Sequence, residues 1–233
     1  MSIKGITFDF GPFAMMDDYD PEYICNHTDQ GGRYRFSQQP AVGLWNLNML
    51  AYALSDKLTV EELRACLREY QPCLETCYME TLGQRFGLSS MQQGDETLIG
   101  EFLNLLRMEK QDFNLSFRVL SSANTAEETD VFNQQFGESS KIHTWLKQYK
   151  VRLQLEQRNT QDRKIAMDKV NPLYVPRNYI LNQVITDAEN GDWRAFEDIF
   201  LLCQNPFLAR STYSRYAQRP PECEKGIPLS CSS

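Results

Sequence analysis

The hydrophobic period of this chain changes once, and that change sets the fold class. Ile3, Ile6, Phe8 and Phe10 form a short apolar run of β-branched and aromatic residues, the composition of a buried strand. From Pro40 onward the apolar residues recur at helical spacing instead. Pro40 opens a helix at its first position, where a missing N–H costs nothing. Within Ala41 to Leu54 the apolar residues go almost all the way round (Val42, Leu44, Trp45, Leu47, Met49, Leu50, Tyr52, Leu54), which predicts a buried central helix. Thr59 and Glu62 have the spacing of a capping box for the next helix, with its stripe at Val60, Leu63, Leu67 and Tyr70. Pro72 disturbs that helix, and the pattern resumes through Leu74, Tyr78 and Leu82 to near Gly87. Asp95 and Asp112 are expected caps of two more helices, one turning Leu98, Ile99, Phe102, Leu105 and Leu106 inward, the other running through Leu115, Val119 and Leu120. Ser121 to Thr129 reads as a polar connection. A helix with Ile142, Trp145, Leu146 and Tyr149 starts at Ser139 or Ser140, and Arg158 to Lys169 reads as a solvated helix face. Pro176 to Glu189, with Ile180, Leu181, Val184 and Ile185 inward, and Trp193 to Leu202 complete the set. The expectation is a mainly α domain over residues 1–204 with a small β hairpin at its N-terminus. A Pro-rich tail, 205–233, follows and is pinned back on the domain by Phe207, Tyr213 and Tyr216.

A chain of 233 residues is long enough to bury about 70% of its unfolded surface. Its formal net charge of −7 speaks against a general nucleic-acid binder, which carries a basic footprint. No apolar stretch reaches the roughly 18 uncharged residues of a membrane span. The N-terminus has no basic segment followed by an apolar run, so a cytoplasmic protein is expected. The seven cysteines are irregularly spaced. Cys66, Cys73 and Cys77 have helical spacing that could hold a metal, but core packing is the favoured account. With only His27 and His143 present, a His-rich metal site and a His-based triad both lose support.

The strand-like run delivers Asp9 to its end and then breaks on Gly11-Pro12. A carboxylate at a strand end, beside a glycine that lets the backbone turn, is a means of holding Mg²⁺ against nucleotide phosphates. Hard cations take oxygen ligands, and Mg²⁺ leaves most of its positions to phosphate and water. Protein kinases place an Asp-Phe-Gly there, the triplet seen at Asp9-Phe10-Gly11. The polar segment Met15 to Gln39 then forms a long loop, and helices follow, which is the element order of a kinase-like large lobe. In that order the catalytic-loop Asp and Asn precede the metal-binding Asp, but none of the eight residues before Asp9 is Asp or Asn. On the kinase-like reading the chain is an incomplete large lobe, the back half of a larger enzyme.

Three strings sharpen the resemblance: GITFDFGPFAMMDDYDPEYICNHTDQGGRYRFSQQPAVGLWNLNMLA near the start, VNPLYVPRNYILNQVITDAENGDW in the middle and LSCSS at the end. Together they resemble the selenoprotein O (YdiU) family, whose members are similar to kinases in fold, a pseudokinase fold that binds ATP in reversed orientation. Members transfer AMP to Ser, Thr or Tyr hydroxyls of proteins. The resemblance implies ATP and Mg²⁺ or Mn²⁺ as cofactors, with Asp9 as the metal- and ATP-contacting carboxylate. The proton-accepting Asp and its neighbouring metal-binding Asn match positions ahead of Met1, and Met1 itself matches an internal Met. The expected partners are therefore protein substrates with hydroxyl side chains and the missing N-terminal half, without which the chain is expected to be inactive. The family resemblance also pairs Cys25 with Cys231, a disulfide that would tie the loop after Asp9 to the tail. Closing so long a loop would remove about 5 kcal/mol of unfolded-chain entropy, and in the cytosol such a bond would serve as a redox switch.

Two other functional classes compete. One is a non-catalytic helical interaction module derived from such an enzyme. The other, a thiol oxidoreductase, is weak because the chain has no Cys-x-x-Cys and no thioredoxin-like alternation of strands and helices.

Overall fold

The computed structural model describes residues 15–25 and 28–227. The expected strand Ile3 to Phe10, and with it the hairpin, lies outside the described residues. Among the described residues there are ten α-helices and no β-strand, and the one extended pairing is an isolated antiparallel bridge between Asp18 and Asp112. The chain divides into two compact units, with the division falling inside the third helix.

The described part of the first unit is Pro21–Met79. Its entry loop is closed by its own backbone, with Phe36 N–H donating to Tyr23 O (2.9 Å) and Ser37 N–H to Pro21 O (2.8 Å). Asp29 folds the bend by accepting from the N–H groups of Arg33 and Tyr34, and Gly32 supplies the left-handed backbone there. A short 3-10 helix, Phe36–Gln38, leads into α1, Gln39–Ala53, with Pro40 in its first turn as expected. In α2, Val60–Arg68, Thr59 and Glu62 form the expected reciprocal capping box. Pro72 sits in the first turn of α3, Tyr70–Arg85, where its missing N–H breaks nothing. Tyr70 lies across α1 and donates to Pro40 O at 2.8 Å. The approach needs Gly43, because a Cβ there would stand 2.6 Å from the Tyr70 hydroxyl.

Two expectations fail in this unit. Helix α1 has no buried residue; Trp45 is 48% and Tyr52 79% exposed, so it is not a central helix. An apolar surface all round records that a helix needs covering, and α2, the 3-10 turn and Tyr70 cover only part of it. Cys66, Cys73 and Cys77 are exposed rather than packed in a core, and the break between α2 and α3 places Cys66 on a different helix from the other two.

The second unit, Met15–Asp20 with Glu80–Ile227, holds α4 (Asp95–Met108), α5 (Phe113–Leu120), α6 (Glu128–Phe136), α7 (Ser140–Leu153), α8 (Thr160–Asp168), α9 (Asn178–Glu189) and α10 (Arg194–Gln204). Its centre is aromatic. Phe86 meets Phe102, Phe117, Trp145 and Tyr149 edge-on at centroid distances of 5.4, 5.3, 6.0 and 6.0 Å, the geometry that ring quadrupoles favour. The polar ends of two of these rings are satisfied by backbone: Tyr149 OH donates to Phe86 O (2.7 Å) and Trp145 Nε1 to Leu98 O (2.8 Å). A second cluster joins Tyr174, Ile180, Val184, Ile199, Leu202 and Tyr216, drawing the segment after α10 onto α9 and α10.

Asp112 caps α5 and Ser139 caps α7 through the third amide on, as their spacing predicts. Asp95 does not act that way. Gly94 stands at the cap position, and Asp95 lies just inside α4, accepting backward from Gln92 N–H while its carboxylate meets Arg152. Ile99, Phe102 and Leu106 are buried as expected, as are Ile180 and Val184, whereas Ile185 is exposed. Helix α6 replaces the end of the expected polar connection; its buried face is only Phe132, Gln135 and Phe136, too short a stripe to show a period. The charged stretch of α8 is not wholly solvated either. Arg163 and Met167 are buried, the guanidinium donating to Ala123 O, because Gly87 in left-handed backbone lets both side chains close over it.

Candidate functional site

Asp17, at a bend, and Asp18, in an isolated bridge, are adjacent in sequence, and their carboxylates meet different partners. The bridge to Asp112 sets the register: Phe113 N–H donates to Asp17 O (2.8 Å) and Tyr19 N–H to Gln111 O (2.9 Å). The Tyr19 ring then stacks on Phe113 at 5.2 Å. Asp17 accepts a 2.7 Å hydrogen bond from Nη1 of Arg177. Asp18 receives Arg219 Nη2 at 3.1 Å and Lys225 Nζ at 2.9 Å. The segment is a clip held through both carboxylates.

Arg177 owes its inward direction to local chain chemistry. Pro176 biases Val175 toward extended backbone, and Arg177 takes the β-region cap position of α9, turning its side chain away from the helix surface. It is 1% exposed. The same Nη1 stands 2.8 Å from Asp112 Oδ2, an ion pair without hydrogen-bond alignment. The other oxygen of Asp112 accepts from Leu115 N–H (2.9 Å), so one buried carboxylate both starts α5 and neutralises Arg177. Burial pushes the Asp112 carboxyl above its ordinary value, against the opposing pull of Arg177. For Lys225, burial works to lower the ammonium, but Glu222 and Asp18 outweigh it and leave it above its ordinary range. The segment after α10 is also bonded to the stretch that leads into α9: Leu173 N–H to Pro206 O, Arg210 N–H to the Tyr174 hydroxyl, and Asn178 Nδ2 to Ile227 O.

This arrangement is built for anchoring rather than metal binding. Asp17, Asp18 and Asp112 are matched by Arg177, Arg219 and Lys225, so none of the three carboxylates stands open to a divalent cation. Among the described residues no group of three or more His, Cys, Asp or Glu is placed to hold a metal ion. Asp9 and Cys231 lie outside the described residues. Cys25 is half-buried in the loop of the first unit. Reading the sequence identified Asp112 only as a helix cap and passed over Asp17, Asp18, Arg177, Arg219 and Lys225. The available signal was the pair of adjacent carboxylates soon after Asp9, with Arg177 lodged between Pro176 and the start of a helix.

The comparison with known proteins covers the clip and the segment before it. The family model described as Protein adenylyltransferase SelO matches residues 1–204. The chain belongs to the SelO family. Relatives named Protein nucleotidyltransferase YdiU include one from Pseudoalteromonas atlantica, 39% identical over 233 residues, and one from Ectopseudomonas mendocina, 40% identical over 234 residues. A third, from Vibrio vulnificus, is 40% identical over 239 residues. Each match takes in 100% of this chain and 48 to 49% of the relative. The chain therefore spans about half the length of the curated relatives it matches. SelO membership agrees with the mainly helical architecture, and no helix among the described residues is long and apolar enough to cross a membrane.

Proposed function

We propose that this chain forms the C-terminal part of a cytoplasmic protein adenylyltransferase with a kinase-like large lobe. In the reaction, a Ser, Thr or Tyr hydroxyl of a protein substrate attacks the α-phosphorus of ATP, a new P–O bond forms, and pyrophosphate leaves with the broken one. Asp9 is the carboxylate of this chain that meets ATP and its Mg²⁺ or Mn²⁺; the ion supplies charge neutralisation on the phosphates when bound. The group that accepts the hydroxyl proton belongs to the residues that relatives carry beyond the matched half. The SelO match, which takes in Asp9 and the clip at Asp17 and Asp18, is the observation that carries this reading. The test is transfer of labelled AMP by the whole protein, with Asp9→Asn as control. Loss of transfer in Asp9→Asn is expected, and undiminished transfer would remove Asp9 from the site. For the 233-residue chain alone, calorimetry should find no tight Mg²⁺–ATP binding, since one carboxylate offers too few ligands.

Cys25 and Cys231 form the proposed redox pair. Exchange with a small-molecule disulfide would convert the two thiols to one bond and release two reduced thiols. Non-reducing digestion and mass spectrometry should recover a linked peptide containing both; pairing of Cys25 with any other cysteine would exclude it.

A second reading, a helical interaction module without transfer, draws support from an exposed aromatic row on α10. Trp193, Phe196 and Phe200 run along one side of that helix with Phe196 and Phe200 stacked at 5.9 Å. On that reading Asp9→Asn is indistinguishable from the wild type in every assay.

A further inference from the structure

The loop that leads into α1 holds one arginine flat against an aromatic ring and open to solvent. Asp29 accepts from the N–H groups of Arg33 (2.9 Å) and Tyr34 (2.7 Å), which fixes the turn that carries both side chains. The Arg33 guanidinium lies over the Trp45 ring, its carbon 4.5 Å from the ring centroid, with the centroid of the Tyr34 ring at 5.6 Å. Stacking uses the flat face of a guanidinium and leaves the N–H groups in its plane to hydrogen-bond. Arg33 and Trp45 line a groove of about 490 Å³ together with Gly31, Gly32, Arg35 and Val42, and all six belong to the first unit. A Cβ at Gly31 would meet nothing within 4 Å, so that wall of the groove is bare backbone.

The charge of the groove is unbalanced. Among the described residues Arg35 pairs with Glu22 at 3.0 Å, whereas Arg33 has no ion-pair partner, and the first turn of α1 holds no acidic residue. In a chain with 31 Asp and Glu against 24 Lys and Arg, a stacked arginine left without a carboxylate is a place for one supplied from outside. Trp45, 48% exposed, and Val42 add apolar surface beside the cation, and Trp and Arg are among the residue types that dominate binding surfaces. The groove is wide and shallow. A small ligand needs most of its surface buried, but an extended peptide can lie along such a groove and set an acidic and an apolar side chain down side by side. Its shape therefore favours a peptide over a free nucleotide or phosphate.

We propose that the groove of Arg33 and Trp45 docks an acidic protein segment, with a Glu or Asp carboxylate on the Arg33 guanidinium and a neighbouring apolar side chain against Trp45 and Val42. As a binding site it stands by itself; as the docking site of the protein substrate it rests on the adenylyltransferase reading.

Fluorescence polarisation of a labelled glutamate-rich peptide carrying leucines, titrated with the 233-residue chain, reads the binding. Arg33 and Trp45 are exposed, so their variants should keep the fold, which an unchanged thermal melt verifies. Arg33→Met should weaken binding by about fivefold or more, Trp45→Leu by about threefold, and Arg33→Lys should fall between Arg33→Met and the wild type. A glutamine counterpart of the peptide should bind the wild type about fivefold more weakly or worse. No binding of the glutamate peptide, equal binding of the glutamine one, or undiminished binding by Arg33→Met overturns the site. Tripolyphosphate that displaces the peptide and binds more tightly than it does would make phosphate the ligand and overturns the proposal as well. In transfer of labelled AMP by the whole protein, Arg33→Met should raise the KM for the protein substrate by about fivefold or more with kcat little changed; an unchanged KM overturns the substrate role. If the unaltered protein transfers no AMP while the chain still binds the peptide through Arg33, the adenylyltransferase reading fails and the groove remains as a binding site.

Discussion

Arg152→Met should be among the most damaging single changes to the larger unit. Arg152 extends from α7 into a pocket where its own side chain is 9% exposed and those of Asp95 and Glu156 are each 2% exposed. Its guanidinium makes four hydrogen bonds: Nε and Nη2 to the two oxygens of Asp95 (2.7 and 3.0 Å), Nη1 to Glu156 (2.7 Å) and Nη2 to Ser90 O (3.0 Å). Methionine keeps most of the stem's packing but leaves two carboxylates facing each other without a cation. Breaking a buried pair by removing one partner costs about 3–5 kcal/mol. Asp95 keeps Gln92 N–H, and Glu156 keeps Ser89 N–H and its hydroxyl, so the lower end, about 3 kcal/mol, is expected. Urea unfolding followed by the fluorescence of Trp145, buried beside α4, measures the loss. With a slope of about 2 kcal/mol/M, the midpoint should fall by about 1.5 M at unchanged slope. Adding Asp95→Asn to Arg152→Met should restore part of the loss, because it removes one of the stranded charges. A loss below about 1 kcal/mol, or a double variant weaker than the single, would show that water reaches this pocket and that the burial argument is wrong.

Glu156 also gives the unit a pH dependence. Burial acts to raise its carboxyl, but the bonds from Ser89 and Arg152 prevail and leave it below the ordinary 4.5. Its contribution is therefore complete above that pH and is lost as the pH falls through its lowered folded-state value. Thermal melts between about pH 3 and 6 should show Glu156→Gln flattening that acid limb. Phe102→Ala removes a ring in contact with Phe86, Phe117 and Trp145 and should cost about 3–5 kcal/mol by urea titration; a loss under half of that would mean the cluster collapses into the gap. Gly87→Ala puts a Cβ at left-handed backbone 2.6 Å from Met167 Sδ and 2.9 Å from Arg163 Cγ, and should cost about 2 kcal/mol or more. An unchanged melting temperature would show that Met167 moves aside freely.

What could be read from the residues was whatever a few neighbours decide. The capping box at Thr59 and Glu62, the caps at Asp112 and Ser139, Pro40 at the head of α1 and the inward stripe Ile99, Phe102 and Leu106 all depend on contacts within a turn or two, and they stand where the spacing places them. Family membership was legible for a related reason: long strings of residues carry it whether or not their contacts are known. Burial was not local. Helix α1 has the composition of a buried helix and is exposed, because composition states what a surface requires and only packing supplies it. Arg163 looked solvated among charges and is buried because Gly87, far away in sequence, leaves room for it. The clip was invisible for the same physical reason. In sequence Arg177 is one arginine among many, and Asp17 and Asp18 are two acids in a polar loop. For Arg177 and Asp17 the meaning comes from a separation of 160 residues closed to 2.7 Å, and from the loss of water around the pair, which strengthens an ordinary charge contact.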